Sequence, residues 1–296
     1  MSTEAREQAT ERLAVRKTYK LYIGGAFPRS ESGRSYPVLS AKGELLAHAA
    51  QASRKDVRDA VVAARKAVKG WSGATAYNRG QVLYRVAEML EGRRLQFANE
   101  VAQAEGGSNR TALVQVDEAI DRWVYYAGWA DKYAQVAGNT DPVAGPYFTF
   151  SLPEPTGVVG VIAPQDSSLL GLVSVLAPVL TTGNTAVVLA SEQYPLPAVS
   201  LTEVLETSDL PGGVVNLLTG RTAELAPWLA SHRDVNAIDL TGVTEPGLRR
   251  DLEIAAADNV KRVLAPAQPP KWSDDPGTGR LAAFVETKTV WHPIGV

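Results

Sequence analysis

The chain has 296 residues and contains no cysteine, which excludes disulfide bonds, thiolate metal sites and a cysteine nucleophile. Its three histidines lie far apart and show no metal-ligand spacing, so we predict no metal site. Neither sign of charge is in excess, with 30 Lys and Arg against 32 Asp and Glu. This balance predicts neither nucleic acid nor an anionic membrane as a partner.

Long apolar runs are also missing, because no stretch reaches the roughly 18 apolar residues of a membrane span. Residues 1–17 mix acids and bases around no apolar centre, which is not typical of a signal peptide. We therefore expect a cytoplasmic protein without a membrane segment.

Helical periodicity dominates the first half of the chain. Residues 1–18 are polar and predict a flexible N-terminal arm, and the glycine pair Gly24–Gly25 between apolar residues predicts a hairpin turn. Apolar positions then recur at helical spacing over residues 54–70, 78–106 and 113–136. These three segments predict an N-terminal helical layer.

Strands and helices alternate from Val158 onward. The stretch Val158–Glu192 predicts one strand–helix–strand unit, with a loop at Ala163–Ser168 where ligands usually bind in open α/β sheets. Further strands are expected at 214–218, 235–240 and 260–264, with helices between them. This order predicts an α/β fold with a Rossmann-like parallel sheet and helices on both faces.

Two short segments outside the alternation predict a small β element. Tyr147–Leu152 is an alternating strand, and residues 281–296 predict a short helix followed by a strand. Residues 269–280 are polar and predict a linker between the sheet and this tail. The terminal strand needs a partner edge, which is either Tyr147–Leu152 or another subunit.

Ordered motifs along the chain resemble the aldehyde dehydrogenase superfamily. They are Leu21–Gly25, Trp71–Gly73, Arg79–Leu83, Tyr125–Lys132, Glu154–Gly160, Leu176–Pro178 with Gly183–Thr185, Ser191–Gln193, Leu210–Asn216, Thr219–Gly220 and Asn259–Val263. The resemblance implies a cofactor-binding-type domain over residues 19–268, with residues 140–157 contributing to an oligomerisation element. It also implies that Glu286–Trp291 is an oligomerisation strand, and that the domain carrying the family's cysteine is replaced by the linker.

The catalytic positions implied by the resemblance have changed. The family's oxyanion-stabilising Asn falls on Asp166. An ionised Asp166 would place a negative charge where negative charge develops in the transition state. The family's general-base Glu falls on Pro266, which exchanges no proton. With the cysteine also missing, we predict no catalytic residue.

Cofactor positions are kept only in part. Of the Lys and Glu that hold the adenosine ribose in the family, Lys has become Leu189 and Glu192 remains. The pyrophosphate loop becomes Gly242–Gly247, and Gly242 and Thr244 are its candidate contacts, although Val243 replaces the family's Ser and Glu245 adds like charge. Glu192, Gly242 and Thr244 are therefore the candidate cofactor-binding residues, and NAD or NADP is the possible cofactor.

Three functions are compatible with this pattern. The first is a non-catalytic aldehyde dehydrogenase-like subunit that oligomerises, with itself or with a full-length aldehyde dehydrogenase, through Tyr147–Leu152 and Glu286–Trp291. The second is an NAD(P)-binding or sensing module without aldehyde chemistry. The third, an active aldehyde oxidoreductase, requires a nucleophile that the sequence does not contain.

Overall fold

The computed structural model describes residues 17–295. The helices there are Arg54–Gly73 (α1), Ala76–Glu91 (α2), Arg94–Glu105 (α3), Asn109–Trp129 (α4), Tyr133–Ala137 (α5), Leu170–Thr181 (α6), Leu196–Glu206 (α7), Thr222–Ser231 (α8), Pro246–Ala257 (α9) and Gly279–Ala283 (α10). The strands are Thr18–Tyr19 (β1), Ser35–Leu39 (β2), Leu45–Ala50 (β3), Asn139–Thr140 (β4), Tyr147–Pro155 (β5), Val158–Ile162 (β6), Thr185–Leu189 (β7), Val215–Leu218 (β8), Ala237–Asp239 (β9), Arg262–Leu264 (β10) and Val285–Pro293 (β11).

A parallel sheet with the strand order β10-β9-β6-β7-β8 forms the centre of the fold. All five residues of its middle strand, β6, are buried. Val159 and Val161 pack into one apolar cluster, and Val158 and Ile162 pack into a second cluster on the other face. A strand covered on both faces has no polar side, which explains its continuous apolar sequence.

Helices cover both faces of this sheet, as predicted. α6 and α7 contribute to the apolar cluster on one face, whereas α1, α8 and α9 contribute to the cluster on the other. α2, α3 and α4 pack against α6 and α7 and form the predicted helical layer. The predicted α/β fold with a Rossmann-like parallel sheet is therefore confirmed.

Two helices predicted as continuous are interrupted in the structure. The predicted helix at 78–106 is divided into α2 and α3, because Arg93 has the non-helical backbone angles φ −114° and ψ 13°. The predicted helix at 113–136 begins earlier, at Asn109, where the Ser108 hydroxyl accepts the Thr111 N–H. It ends at Trp129, before the short α5.

The N-terminal region contains a small sheet that the sequence did not reveal. Its strand order is β1-β3-β2, and Thr18, the last residue of the predicted flexible arm, lies in β1. Residues 1–16 of that arm lie outside the described residues. The predicted turn at Gly24–Gly25 is present, with positive φ angles at both glycines and reciprocal hydrogen bonds between Ile23 and Ala26.

The third sheet, which we call the outer sheet, has the order β11-β5-β4. β11 pairs antiparallel with β5 along its whole length, from Val285 opposite Pro155 to Pro293 opposite Tyr147. The predicted tail strand therefore pairs with Tyr147–Leu152 of its own chain. Residues 265–284, between β10 and β11, contain α10 and are called the connecting segment below.

Candidate functional site

The direction in which successive strands are added to the parallel sheet reverses between β6 and β9. β7 and β8 lie on one side of β6, and β9 and β10 lie on the other. Such a switch point leaves a crevice at the carboxyl ends of the two strands, where α/β proteins usually bind ligands. Here the crevice lies between the loops 163–168 and 240–244, and the candidate cofactor residues belong to this edge of the sheet.

Gly242 holds the two loops of the crevice together. Its N–H donates to the Ile162 carbonyl at 3.0 Å, so this donor is already engaged within the protein. A Cβ atom on residue 242 would lie 1.9 Å from the Ala163 carbonyl oxygen, a distance that no side chain tolerates. Glycine is therefore required here for backbone packing.

The N-terminus of α9 is capped by a carboxylate from its own chain. Glu245 is the N-cap residue, and its side chain accepts the N–H groups of Gly247, at 2.7 Å, and of Leu248. These hydrogen bonds, with that of Leu248 the larger effect, lower the Glu245 pKa below its usual range. Pro246 has no N–H to offer, and Thr244, the other candidate pyrophosphate contact, lies exposed one position before the cap.

Glu192 also caps a helix. One carboxylate oxygen accepts the N–H of Thr222, the first residue of α8, at 3.0 Å, and the other pairs with the Arg221 guanidinium. Gln165 fixes the neighbouring backbone, because its amide oxygen accepts the Glu192 N–H at 2.8 Å and its amide nitrogen donates to the Ala163 carbonyl at 2.8 Å. Both oxygens of the candidate ribose ligand are thus bound within the protein.

Of the two altered catalytic positions, one is exposed to solvent and the other accepts a hydrogen bond from within the chain. Asp166 is exposed on the loop after β6. The carbonyl of Pro266 accepts a hydrogen bond from Arg249 of α9 at 2.8 Å. Within residues 17–295 no cluster of acidic or imidazole groups is arranged to hold a metal ion.

A buried ion pair at the end of β9 is the residue pair that sequence reasoning missed. Asp239 is fully buried, and its carboxylate pairs with Arg280 of the connecting segment at 2.7 Å. Arg280 also donates to the Thr241 hydroxyl at 3.0 Å, and the Thr241 N–H donates to Asp239 at 2.9 Å. The predicted linker is thus anchored at the carboxyl edge of the sheet. The only sequence signal for this ion pair was an Asp at the end of a strand.

The cofactor implied by the family resemblance fits these residues poorly. A dinucleotide pyrophosphate needs free N–H donors at the helix N-terminus, and the Glu245 carboxylate already accepts two of those on α9. The ribose hydroxyls need a free carboxylate, and Glu192 is engaged by Arg221 and Thr222. Hydrogen bonds within the chain therefore occupy the groups on both sides of the crevice that would bind the pyrophosphate and the ribose.

The chain is similar to known proteins over most of its length. The model of the aldehyde dehydrogenase family matches residues 27–266. Cytosolic aldehyde dehydrogenase 1 of Elephantulus edwardii is 36% identical over 249 residues, covering 82% of this chain and 49% of the relative. Human retinal dehydrogenase 2 is 36% identical over 260 residues, covering 86% of this chain and 49% of the relative.

Solved structures give the same match. The NAD⁺ complex of an aldehyde dehydrogenase from Bacillus cereus superposes with a TM-score of 0.77 at 28% identity, covering 83% of this chain and 50% of that one. HpcC from Thermus thermophilus superposes with a TM-score of 0.77 at 31% identity, covering 83% and 47%. The chain thus spans about half the length of the relatives that it matches.

No helix in the part of the chain that the structure describes has the length and apolar content needed to cross a bilayer.

Proposed function

We infer the function from family membership: the chain belongs to the aldehyde dehydrogenase family, and we propose that it is a non-catalytic subunit. In this proposal it assembles through the outer sheet with another chain of the family. A second copy of itself is the partner tested first. A full-length aldehyde dehydrogenase is the other partner within the same proposal.

The missing catalytic groups support the non-catalytic part of the proposal. The 296 residues contain no cysteine, and proline occupies the position of the general base. Asp166 at the oxyanion position brings a negative charge near a developing negative charge, where donors usually lower the barrier by about 3–4 kcal/mol. We expect the purified chain to oxidise no aldehyde with NAD or NADP, and measurable turnover by the chain alone would contradict this.

The observation that carries the proposal is an exposed apolar strip on the outer sheet. Residues directly opposite in an antiparallel pair project to the same face, so Phe150 and Val290 lie side by side with Phe148 and Leu152 next to them on β5. Phe148 is 48% exposed and Leu152 is 41% exposed. Apolar side chains grouped in this way on a surface usually mark an interaction site.

The free edge of β11 adds a second attachment surface. β11 is an outermost strand, paired on one side with β5, and within the described residues no strand covers its other side. An uncovered edge strand has backbone donors and acceptors available to another chain. An antiparallel edge also pairs readily with a copy of itself about a two-fold axis.

The proposal is tested by removing the apolar strip without changing the fold. We expect the wild-type chain to form a dimer or larger assembly by light scattering after size-exclusion chromatography. Phe148→Ser with Leu152→Ser should shift it to monomer, because both side chains are substantially exposed and contribute to assembly rather than to the core.

Leu95→Ser is the matched control, since Leu95 is 75% exposed on α3, away from the outer sheet. This variant should keep the oligomeric state of the wild type. If all three proteins are monomeric, the copy–copy interface is wrong, and pull-down of a full-length family member tests the remaining partner. Equal recovery of that enzyme by the wild type and the double variant would reject the outer sheet as the interface.

The alternative of an NAD(P)-binding module has one observation in its favour, which is that a matched structure is an NAD⁺ complex. Calorimetric titration with NAD and NADP distinguishes it from the first proposal. We expect no heat of binding, because Glu245 and Glu192 engage the groups that a dinucleotide needs. Saturable binding that is lost in Glu192→Ala would favour the alternative.

A further inference from the structure

A polar cavity of about 250 Å³ lies between α4, α6 and the connecting segment. We call it the α4–α6 cavity. Its inner walls carry Arg122, Tyr126 and Ser174, and Trp272 and Arg280 come from the connecting segment. The exposed side chains of Lys271, Asp274 and Asp275 lie at its rim.

Three hydrogen-bond donors in the inner walls have no partner. Among residues 17–295, nothing accepts from the Tyr126 hydroxyl, the Ser174 hydroxyl or the Arg122 Nε. The three side chains are 0%, 5% and 7% exposed, so bulk water does not satisfy them. Buried donors without acceptors cost folding free energy, and three that line one cavity indicate a ligand rich in acceptor atoms.

The inner walls are also positively charged. Arg122 donates through its terminal nitrogens to the backbone carbonyls of Trp272 and Asp274, which are neutral. No carboxylate in the described part of the chain forms a salt bridge with it, whereas Arg280 is paired with Asp239. A buried cation without a counter-ion is costly, so the inner walls favour a ligand with one negative charge.

Tyr126 stays a proton donor at neutral pH. Burial raises the pKa of Tyr126 to about 12, although the nearby Arg280 and Arg122 charges oppose the rise. Its hydroxyl therefore donates to an anion rather than repelling it.

We propose that the α4–α6 cavity binds a small organic monocarboxylate, held by Arg122, Tyr126 and Ser174. The two carboxylate oxygens supply acceptors for the three unpaired donors, and the single charge neutralises Arg122. Asp274 and Asp275 at the rim repel multiply charged anions, which disfavours phosphate. The volume is below the usual range for drug-sized ligands and suits molecules of a few heavy atoms.

Differential scanning fluorimetry and calorimetry of the full chain test this site with acetate as the probe. Acetamide has nearly the same shape without the charge, and inorganic phosphate carries more charge. At constant ionic strength, acetate should raise the melting temperature in a saturable manner, acetamide should not, and phosphate should act more weakly than acetate. An equal response to acetate and acetamide would overturn the proposal.

Tyr126→Phe and Ser174→Ala are the informative variants, because each removes a donor that has no acceptor in the described structure. Each should weaken acetate binding at least tenfold while leaving the melting temperature without acetate unchanged or higher. Tyr133→Phe is the matched control, since Tyr133 is also a buried tyrosine but does not line the cavity. Acetate binding of wild-type strength in both variants would reject the site, whatever the oligomeric state.

Discussion

Gly242 illustrates how one residue of the crevice acts through its lack of a side chain. Sequence comparison with the family suggested a phosphate contact, which is a role for its N–H. The structure shows that N–H bonded to Ile162 and the Cα packed against the Ala163 carbonyl. The residue type was predictable, but its close neighbour could be identified only in three dimensions.

We predict opposite effects of alanine at two glycines. Gly242→Ala should destabilise the protein by at least about 3 kcal/mol, since the new Cβ forces the two loops of the crevice apart. Gly70→Ala should stabilise it by about 0.5–1 kcal/mol, because Gly70 lies within α1 with open space around it. Urea unfolding of both variants checks this, and similar free energies for the two would contradict it.

For Glu192, too, the residue type could be predicted from the sequence but its contacts could not. Its identity and its position after β7 matched the family pattern. Its partners, Arg221 and the Thr222 N–H, lie about thirty residues further on and meet it because β7 and β8 are neighbours in the sheet. No local pattern in the sequence encodes that contact.

At the scale of an element, the α9 N-terminus is the clearest departure from a cofactor site. A helix N-terminus attracts anions through its free N–H groups, and here the chain supplies the anion itself through Glu245. The sequence contained the signal, an acidic residue followed by Pro246. Sequence reasoning treated Glu245 only as added like charge, although its side chain is the cap.

We predict that Glu245 makes stability depend on pH in the acid range. Its folded-state pKa lies below the usual value, so its contribution is present above the unfolded-state pKa. That contribution is lost as the pH falls through the folded-state pKa. Glu245→Gln should therefore reduce the loss of melting temperature on acidification below roughly pH 4.5, the usual range for Glu.

The control for the Glu245→Gln variant is Glu44→Gln, since Glu44 is exposed and caps no helix. It should follow the wild-type dependence of melting temperature on pH. If Glu245→Gln follows the same curve as the wild type, the cap contributes no pH-dependent stability.

An element could be predicted from the sequence where its own residues carried a clear apolar pattern for that type of element. β6 was predicted with its observed bounds, because its burial on both faces leaves a continuous apolar run. β2 was missed because Pro37 lowers its strand signal, although proline is tolerated on an edge strand. β3 was missed because half of its residues are alanine, which has a low β propensity. The break at Arg93 between α2 and α3 was missed because apolar periodicity continues across it.

At the scale of the whole molecule, the connecting segment joins the outer sheet to the central sheet. Arg280 inserts beside the buried Asp239, and Arg122 of α4 holds the backbone of the same segment. The prediction of a polar linker came from its composition, which has few apolar residues and several turn formers. Its docking depends on single contacts with residues far away in the sequence.

We predict that Arg280→Met destabilises the protein by about 3–5 kcal/mol, because it leaves the Asp239 charge buried without a partner. The double variant Asp239→Asn with Arg280→Met should recover part of that loss, since no unpaired charge remains. Arg262→Gln is the control, because its pair with Glu286 is exposed and should change stability by less than about 1 kcal/mol. Urea unfolding of the four proteins checks these values, and equal losses for Arg280→Met and Arg262→Gln would contradict them.

The long antiparallel pair of β5 and β11 also sets an order for folding on the ribosome. β5 emerges from the ribosome well before its partner β11, which begins only at Val285, opposite Pro155 in the pair. At ribosomal rates of about 5–20 residues per second, β5 waits roughly 7–30 s for β11. During that interval the β5 edge meets other nascent chains before its own partner exists, so high expression rates favour misassembly at this strand.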